Sequence, residues 1–275
     1  MIERRKTFAA LVLLAANGQL FAQDLVESHN YFFEAGGTHI NSGSSDIDGI
    51  YGAFTLYGQE VSHGLRPHTQ SAYLEEASSI TFAIGDLVGE YPYFGKKDGE
   101  MEVLDVQYTS SEHWVFGGTY SKLKIDDLYD QNTRELTFGR YFSEGSRLLF
   151  TAGDMKTESI AGTEQRANTY GLELKNVNVR VDATALTLEA KYRHIDADAG
   201  PDDQISVQGE YHFNLATSVT AQFDHYWGAS AGSQYTLSFN QFFTKFFAVG
   251  AKYSLTESDR ADDTKSFTAY ARLLF

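Results

Sequence analysis

Twelve charged side chains fall at alternate positions of segments whose other residues are mostly apolar: Glu34, Asp105, Glu135, Glu173, Lys175, Glu189, Lys191, Arg193, Glu210, Asp224, Lys252 and Arg272. Gln107, Gln208, His212, Gln222 and Tyr270 share that phase. Acids and bases are interleaved, so a wet surface gathering them lets polar solutes exchange water for side-chain contacts without trapping ions of either sign. Other chemistries leave less trace. A hydroxyl nucleophile needs a base within hydrogen-bond reach, and none of the eight histidines (29, 39, 63, 68, 113, 194, 212 and 225) is followed by Ser two positions later. Asp196-Ala-Asp-Ala-Gly-Pro-Asp-Asp203 spaces carboxylates around a glycine as calcium loops do, yet it lacks the terminal Glu of the twelve-residue register and reads as a solvated acidic loop. With no Cys there is neither a thiolate metal site nor a disulfide scaffold, and no metal or cofactor is expected.

The elements that would carry the charged positions have a period of two. Fourteen such segments are bounded by turn residues, at 30–40, 49–61, 79–91, 100–109, 113–124, 133–142, 147–157, 168–177, 183–194, 204–213, 217–227, 233–241, 246–256 and 265–275. In one of them Leu186, Leu188, Ala190 and Tyr192 oppose Thr187, Glu189, Lys191 and Arg193, which places Leu188 toward an apolar medium and Thr187 toward water. The last opposes Phe267, Ala269, Ala271, Leu273 and Phe275 to Ser266, Thr268, Tyr270 and Arg272. No helical segments exist to cover so many apolar strand faces, so those faces meet lipid. The expected fold is all-β, a closed antiparallel transmembrane β-barrel of about fourteen strands, with twelve or sixteen as alternatives if a weak segment such as 49–61 is misread.

Composition agrees with an exported barrel. Glu3-Arg-Arg-Lys6, the apolar run Thr7–Ala16 and Gln19-Leu-Phe-Ala22 form the zones of a secretory signal over residues 1–22, leaving residues 23–275 for the barrel. No run is long enough for a transmembrane helix. Without residues 1–22 the balance is 19 Lys+Arg against 36 Asp+Glu, a net charge of −17, which argues against nucleic acid as a partner. Seventeen Tyr, twenty Phe and 24 Gly against three Pro suit strands with aromatic ends. Candidate membrane-interface rings are Tyr31, Tyr91, Tyr93, Trp114, Tyr141, Phe142, Phe213, Tyr226, Trp227, Phe242, Phe243, Phe246 and Phe275.

Two kinds of connection orient the chain. Ser110-Ser-Glu112, Ser143-Glu-Gly145, Asn214-Leu-Ala216 and Phe242-Phe-Thr244 read as tight periplasmic turns, whereas 41–48, 125–132, 159–166, 195–203 and 257–263 read as longer, acidic external loops. Residues 62–78 break the rule: they fall where a short turn is due, and 71–77 are suited to a turn or two of helix, beneath the barrel or folded into its mouth.

The signal segment, the alternating strands and the terminal Phe267-x-Ala-x-Ala-x-Leu273-x-Phe275 resemble those of porin-like outer-membrane barrels of Gram-negative bacteria, and Ala72-Tyr-Leu-Glu-Glu-Ala-Ser-Ser79 is similar to a segment of gammaproteobacterial porins. The resemblance implies location in the outer membrane, contact with its lipid and lipopolysaccharide, and an assembly signal (Phe267, Tyr270, Leu273 and Phe275) read by the barrel-assembly machinery. It also implies a passive diffusion channel for small hydrophilic solutes or ions, lined by the twelve charged residues. The alternatives are a barrel enzyme acting on lipid, for which the His–Ser spacing of outer-membrane phospholipases is missing, and a non-conducting structural or adhesion barrel. No oligomeric state is specified.

Overall fold

The computed structural model describes residues 28–43, 45–62, 67–91, 94–159, 163–180, 184–198, 200–228, 231–244, 246–259 and 262–275. The signal segment, Tyr93 and part of 62–78 lie outside the described residues. The strands are β1 (Ser28–Ser42), β2 (Ser45–Ser62), β3 (Ser79–Tyr91), β4 (Gly95–Thr109), β5 (Trp114–Ile125), β6 (Tyr129–Ser143) and β7 (Ser146–Ser159). The series continues with β8 (Glu164–Val179), β9 (Ala185–Ala197), β10 (Gly200–His212), β11 (Thr217–Trp227), β12 (Gly232–Thr244), β13 (Phe247–Ser258) and β14 (Thr264–Leu274). Each pairs antiparallel with its sequence neighbours, and β14 returns to β1 to close the barrel. Closure gives every strand two partners and leaves no edge, the condition for crossing hydrocarbon with strands. Among the described residues no helix is long and apolar enough to cross a membrane.

Side chains at the turns explain why the chain reverses where it does. Asn214 Oδ1 accepts the backbone N–H groups of Ala216 and Thr217 at 2.8 and 2.9 Å, and Thr244 Oγ1 accepts those of Phe246 and Phe247 at 3.2 and 3.0 Å. Such short side-chain loops offer the backbone an alternative to the ladder and so end it.

The fourteen expected segments all appear, two of them, β3 and β11, with the expected bounds, but several others run longer than the sequence suggested at the end opposite Phe275. β2 runs for 18 residues and β8 for 16, beyond the roughly 9–11 that hydrocarbon requires. The barrel wall therefore continues past the apolar band, where outward positions turn polar (His39, Asp48, Glu100, Lys124) and the two-residue pattern fades. The supposed long external loops are thus mostly strand: Asp46 and Asp48 lie on β2, Asp130 on β6, Asp202 and Asp203 on β10, and Glu257 on β13. The calcium-like segment is likewise a hairpin in which Asp196 pairs with Pro201, and Asp203 accepts hydrogen bonds from Tyr192 at 2.5 Å and His194 at 2.9 Å.

Candidate functional site

Alternation sorts the wall into two faces. Outward positions form an exposed apolar band that includes Phe82, Leu104, Leu136, Leu174, Val207 and Leu237. Inward side chains meet partners two or more strands away, which only the concave face allows. Arg147 of β7 donates to Gln107 of β4 at 3.0 Å, and Arg193 of β9 pairs with Glu135 of β6. The twelve charged residues singled out by spacing lie on this inner face. Asp105, flanked by exposed Leu104 and Val106, accepts from Thr119 at 2.5 Å.

One wall, built by β6 to β9, is a ladder of ion pairs. Arg147 binds Glu173 at 2.8 Å, Lys191 binds Glu189 at 2.6 Å and Glu173 at 3.4 Å, and Lys175 stands 3.9 Å from Glu189. Thr169 adds a hydrogen bond to Glu135 at 3.1 Å. Mutual neutralisation keeps these charges tolerable in a partly enclosed space.

The opposite wall, from β10 through β14 to β2, is largely neutral. Amides and alcohols of Gln208, Thr220, Gln222, Thr236, Ser238 and Asn240 line a cavity of about 720 Å³ that also touches Tyr51 of β2 and Met101 of β4. Asp224 accepts from Gln222 at 2.9 Å, and Glu34 accepts from Tyr51 at 2.9 Å and Arg272 at 2.5 Å. Lys252 also lines this cavity and has no carboxylate partner among the described residues.

Residues 67–78 of the β2–β3 connection fold into the barrel at the Phe275 end. A 3₁₀ turn (His68–Gln70) leads into one helical turn, α1 (Ser71–Leu74), within the turn or two expected over 71–77. Gln70 donates to Glu210 at 2.7 Å, with Thr69 at 3.3 Å and His212 3.5 Å on the other side. Tyr73 reaches across to the backbone carbonyls of Lys175 at 3.1 Å and Gly145 at 3.3 Å, with the Lys175 ammonium 4.3 Å from its ring centroid and the Arg147 guanidinium at 5.1 Å. Burial and the adjacent Tyr141 hold the Tyr73 hydroxyl well above its ordinary value, so it stays a neutral donor. His113 and Glu76 meet at 2.7 Å, and His68 packs edge-on to Phe242 with ring centroids 5.0 Å apart. The segment is therefore an internal plug, anchored on β8, β10 and β12 and on the β4–β5 and β6–β7 turns.

Several residues are placed differently from expectation. Tyr141 and Phe242 point inward against the plug, and Tyr226 hydrogen-bonds Gln204 inside the barrel at 3.3 Å, so these three are not interface rings. Thr187 is inward as expected but is sealed from water, 3.5 Å from His212. Of the four residues expected to form an assembly signal, Phe267 and Phe275 are outward and exposed, Leu273 is outward but covered and paired with Phe33, and Tyr270 is inward. Sequence spacing missed Arg147, Tyr51 and Tyr73. The first two had a readable signal, since they stand in phase with Leu149 and Thr151 on β7 and with Ala53 and Thr55 on β2; Tyr73 had none. Spacing also missed His225, whose Nδ1 lies 3.0 Å from Ser233 Oγ on the outer face, because the two meet across β11 and β12.

No family model matches the chain, and no curated protein matches it. Among solved structures, the outer membrane protein Omp33 of Acinetobacter baumannii superposes with a TM-score of 0.66 at 16% identity, over 90% of this chain and 99% of that one. A bacterial polysaccharide outer membrane secretin follows with a TM-score of 0.51 at 10% identity, over 92% of this chain and all of the other. At these identities the likeness concerns fold alone, and that fold is a closed, fourteen-stranded antiparallel barrel like those of these outer-membrane proteins.

Proposed function

We propose that the barrel is a passive channel for small hydrophilic solutes, narrowed at its periplasmic mouth by residues 67–78, with the twelve inward charges among its lining. The observation that carries this reading is a polar cavity inside the barrel, lined from β10 through β14 to β2 and touched by Met101 of β4, within an exterior that is apolar across the bilayer-spanning band. A barrel filled by its own side chains, as eight-stranded barrels are, leaves no such space. Proteoliposomes carrying the folded barrel should swell in isotonic arabinose faster than protein-free liposomes; equal rates would defeat the proposal.

The plug itself favours a second reading, a non-conducting structural barrel, for which arabinose swelling is also the deciding test. The Ser233–His225 contact raises lipid hydrolysis. His225, however, has no carboxylate or amide on its other ring nitrogen among the described residues, and Ser233 sits in a strand paired on both sides, where backbone N–H groups serve the ladder rather than an oxyanion. The pair is a cross-strand hydrogen bond. Release of fatty acid from phospholipid vesicles by the wild type, abolished in Ser233→Ala, would reverse that assignment.

A further inference from the structure

The cavity above the plug has the makings of a sugar site. Across β2, β1, β14, β13 and β12 one row of paired residues reads Tyr51, Gly36, Tyr270, Gly250 and Asn240. Each glycine makes room for a ring. A Cβ at Gly36 would stand 2.7 Å from Tyr51 Cε1, and one at Gly250 would collide with the Tyr270 ring. Both tyrosines therefore lie flat on the wall, one face against glycine backbone and the other toward the lumen. The Arg272 guanidinium lies over Tyr270, 4.5 Å from its centroid, whereas Tyr51 has no ring or cation stacked on it among the described residues. Hydroxyl bonds to Glu34 and Asn240, at 2.9 and 2.5 Å, hold the two rings in place.

Around this platform the lining is rich in donors and acceptors but balanced in charge. Ten of the seventeen lining residues are alcohols or neutral amides, and the charged ones are two acids and two bases. Glu34 is neutralised by Arg272 at 2.5 Å, and Glu210 is occupied by Gln70 and Thr69 of the plug, which form the cavity floor. A flat ring face for C–H groups, amides that donate and accept together, and a floor formed by Thr69 and Gln70 that narrows the passage together describe recognition of a neutral polyol. The lining carries two acids and two bases and so no net charge, which leaves Lys252 as its one base without a carboxylate partner among the described residues to offset an anion's lost hydration.

We propose that this cavity is a binding subsite for neutral saccharides, with Tyr51 as the stacking platform and Gln208, Gln222 and Asn240 as hydroxyl partners. The subsite rests on the channel reading for its access to solute. Binding is measured without current, by saturation-transfer NMR of maltotriose with the full chain folded in detergent micelles; glucuronate and glucosamine serve as charged comparators. The expected result is saturable transfer to maltotriose, weakened about tenfold by Tyr51→Ala and kept within about threefold of wild type by Tyr51→Phe, which retains the ring. Gln208→Leu, which breaks no internal hydrogen bond among the described residues, should also weaken binding and serves if Tyr51→Ala does not fold. Absence of saturable transfer, tighter binding of either charged sugar, or indifference to both Tyr51→Ala and Gln208→Leu would overturn the assignment. A barrel that binds maltotriose but passes no solute would defeat the channel reading alone, and one that conducts but ignores maltotriose would defeat this one alone.

Discussion

Glu34 of β1 and Arg272 of β14 are direct partners across the seam that closes the barrel, with Arg272 Nε 2.5 Å from Glu34 Oε2. Arg272 also donates to Asn240 at 2.9 Å, and Glu34 accepts from Tyr51, so the pair ties the first two strands to the last three. Arg272→Leu strands a partly enclosed carboxylate and should cost about 2 kcal/mol, less than for a fully buried pair because lumen water reaches it. Glu34→Gln combined with Arg272→Leu should recover part of that loss. The check is the thermal midpoint of the heat-modifiable folded form; an Arg272→Leu midpoint equal to wild type would refute a stabilising seam.

Register is tested by two neighbours on β10. Val207 is 51% exposed in the apolar band, and Gln208 faces the cavity. Val207→Arg should cost about 2–4 kcal/mol in lipid vesicles, whereas Gln208→Arg should fold almost as wild type does. Equal stabilities would mean that the two faces are assigned the wrong way round.

What the sequence revealed and concealed follows from the range of the forces involved. Alternation is local, so Val207 and Gln208, or Leu174 and Lys175, declare their faces without knowledge of their neighbours. Above the bilayer both faces of a strand meet water; the Asp46 and Asp48 segment of β2 therefore looked like loop although it is paired throughout. Aromatic type is ambiguous at strand ends, because Tyr141 and Phe242 fill the plug contact with the same chemistry that places Phe142 and Phe243 at the interface. The plug was legible only as an anomaly of length, since what holds Tyr73 comes from Gly145, Arg147 and Lys175, far away in sequence.

Phe275 ties the end of the sheet to its start. Its carbonyl accepts the Tyr31 backbone N–H at 2.7 Å, its own N–H donates to Tyr31 O at 3.0 Å, and its ring stacks on Tyr31 with centroids 5.8 Å apart. Phe275→Asp puts a charge into that outward stack and into the proposed assembly signal. The expected outcome is less folded protein in the outer membrane and more aggregate in the periplasm, scored by heat-modifiable migration after fractionation; unchanged folded yield would remove Phe275 from the signal.

Ion preference should be weak and salt-dependent. The inner ladder is close to neutral, while the acidic residues at the end opposite Phe275 act through solvent that screens them over roughly 10 Å at 0.1 M salt and 3 Å at 1 M. Reversal potentials across a potassium chloride gradient should show mild cation preference that fades as salt rises. Strong anion selectivity persisting at high salt would instead make Lys252 and the bases of the ladder dominant.

The central claim, a water-filled path narrowed by an internal plug, is tested most directly by planar-bilayer recording of wild type beside Tyr73→Ala, which removes the ring held between Lys175 and Arg147. Discrete, steady conductance steps from the wild type and larger unitary steps from Tyr73→Ala are the predicted result. Electrical silence from both proteins, each verified as folded and inserted, would contradict it.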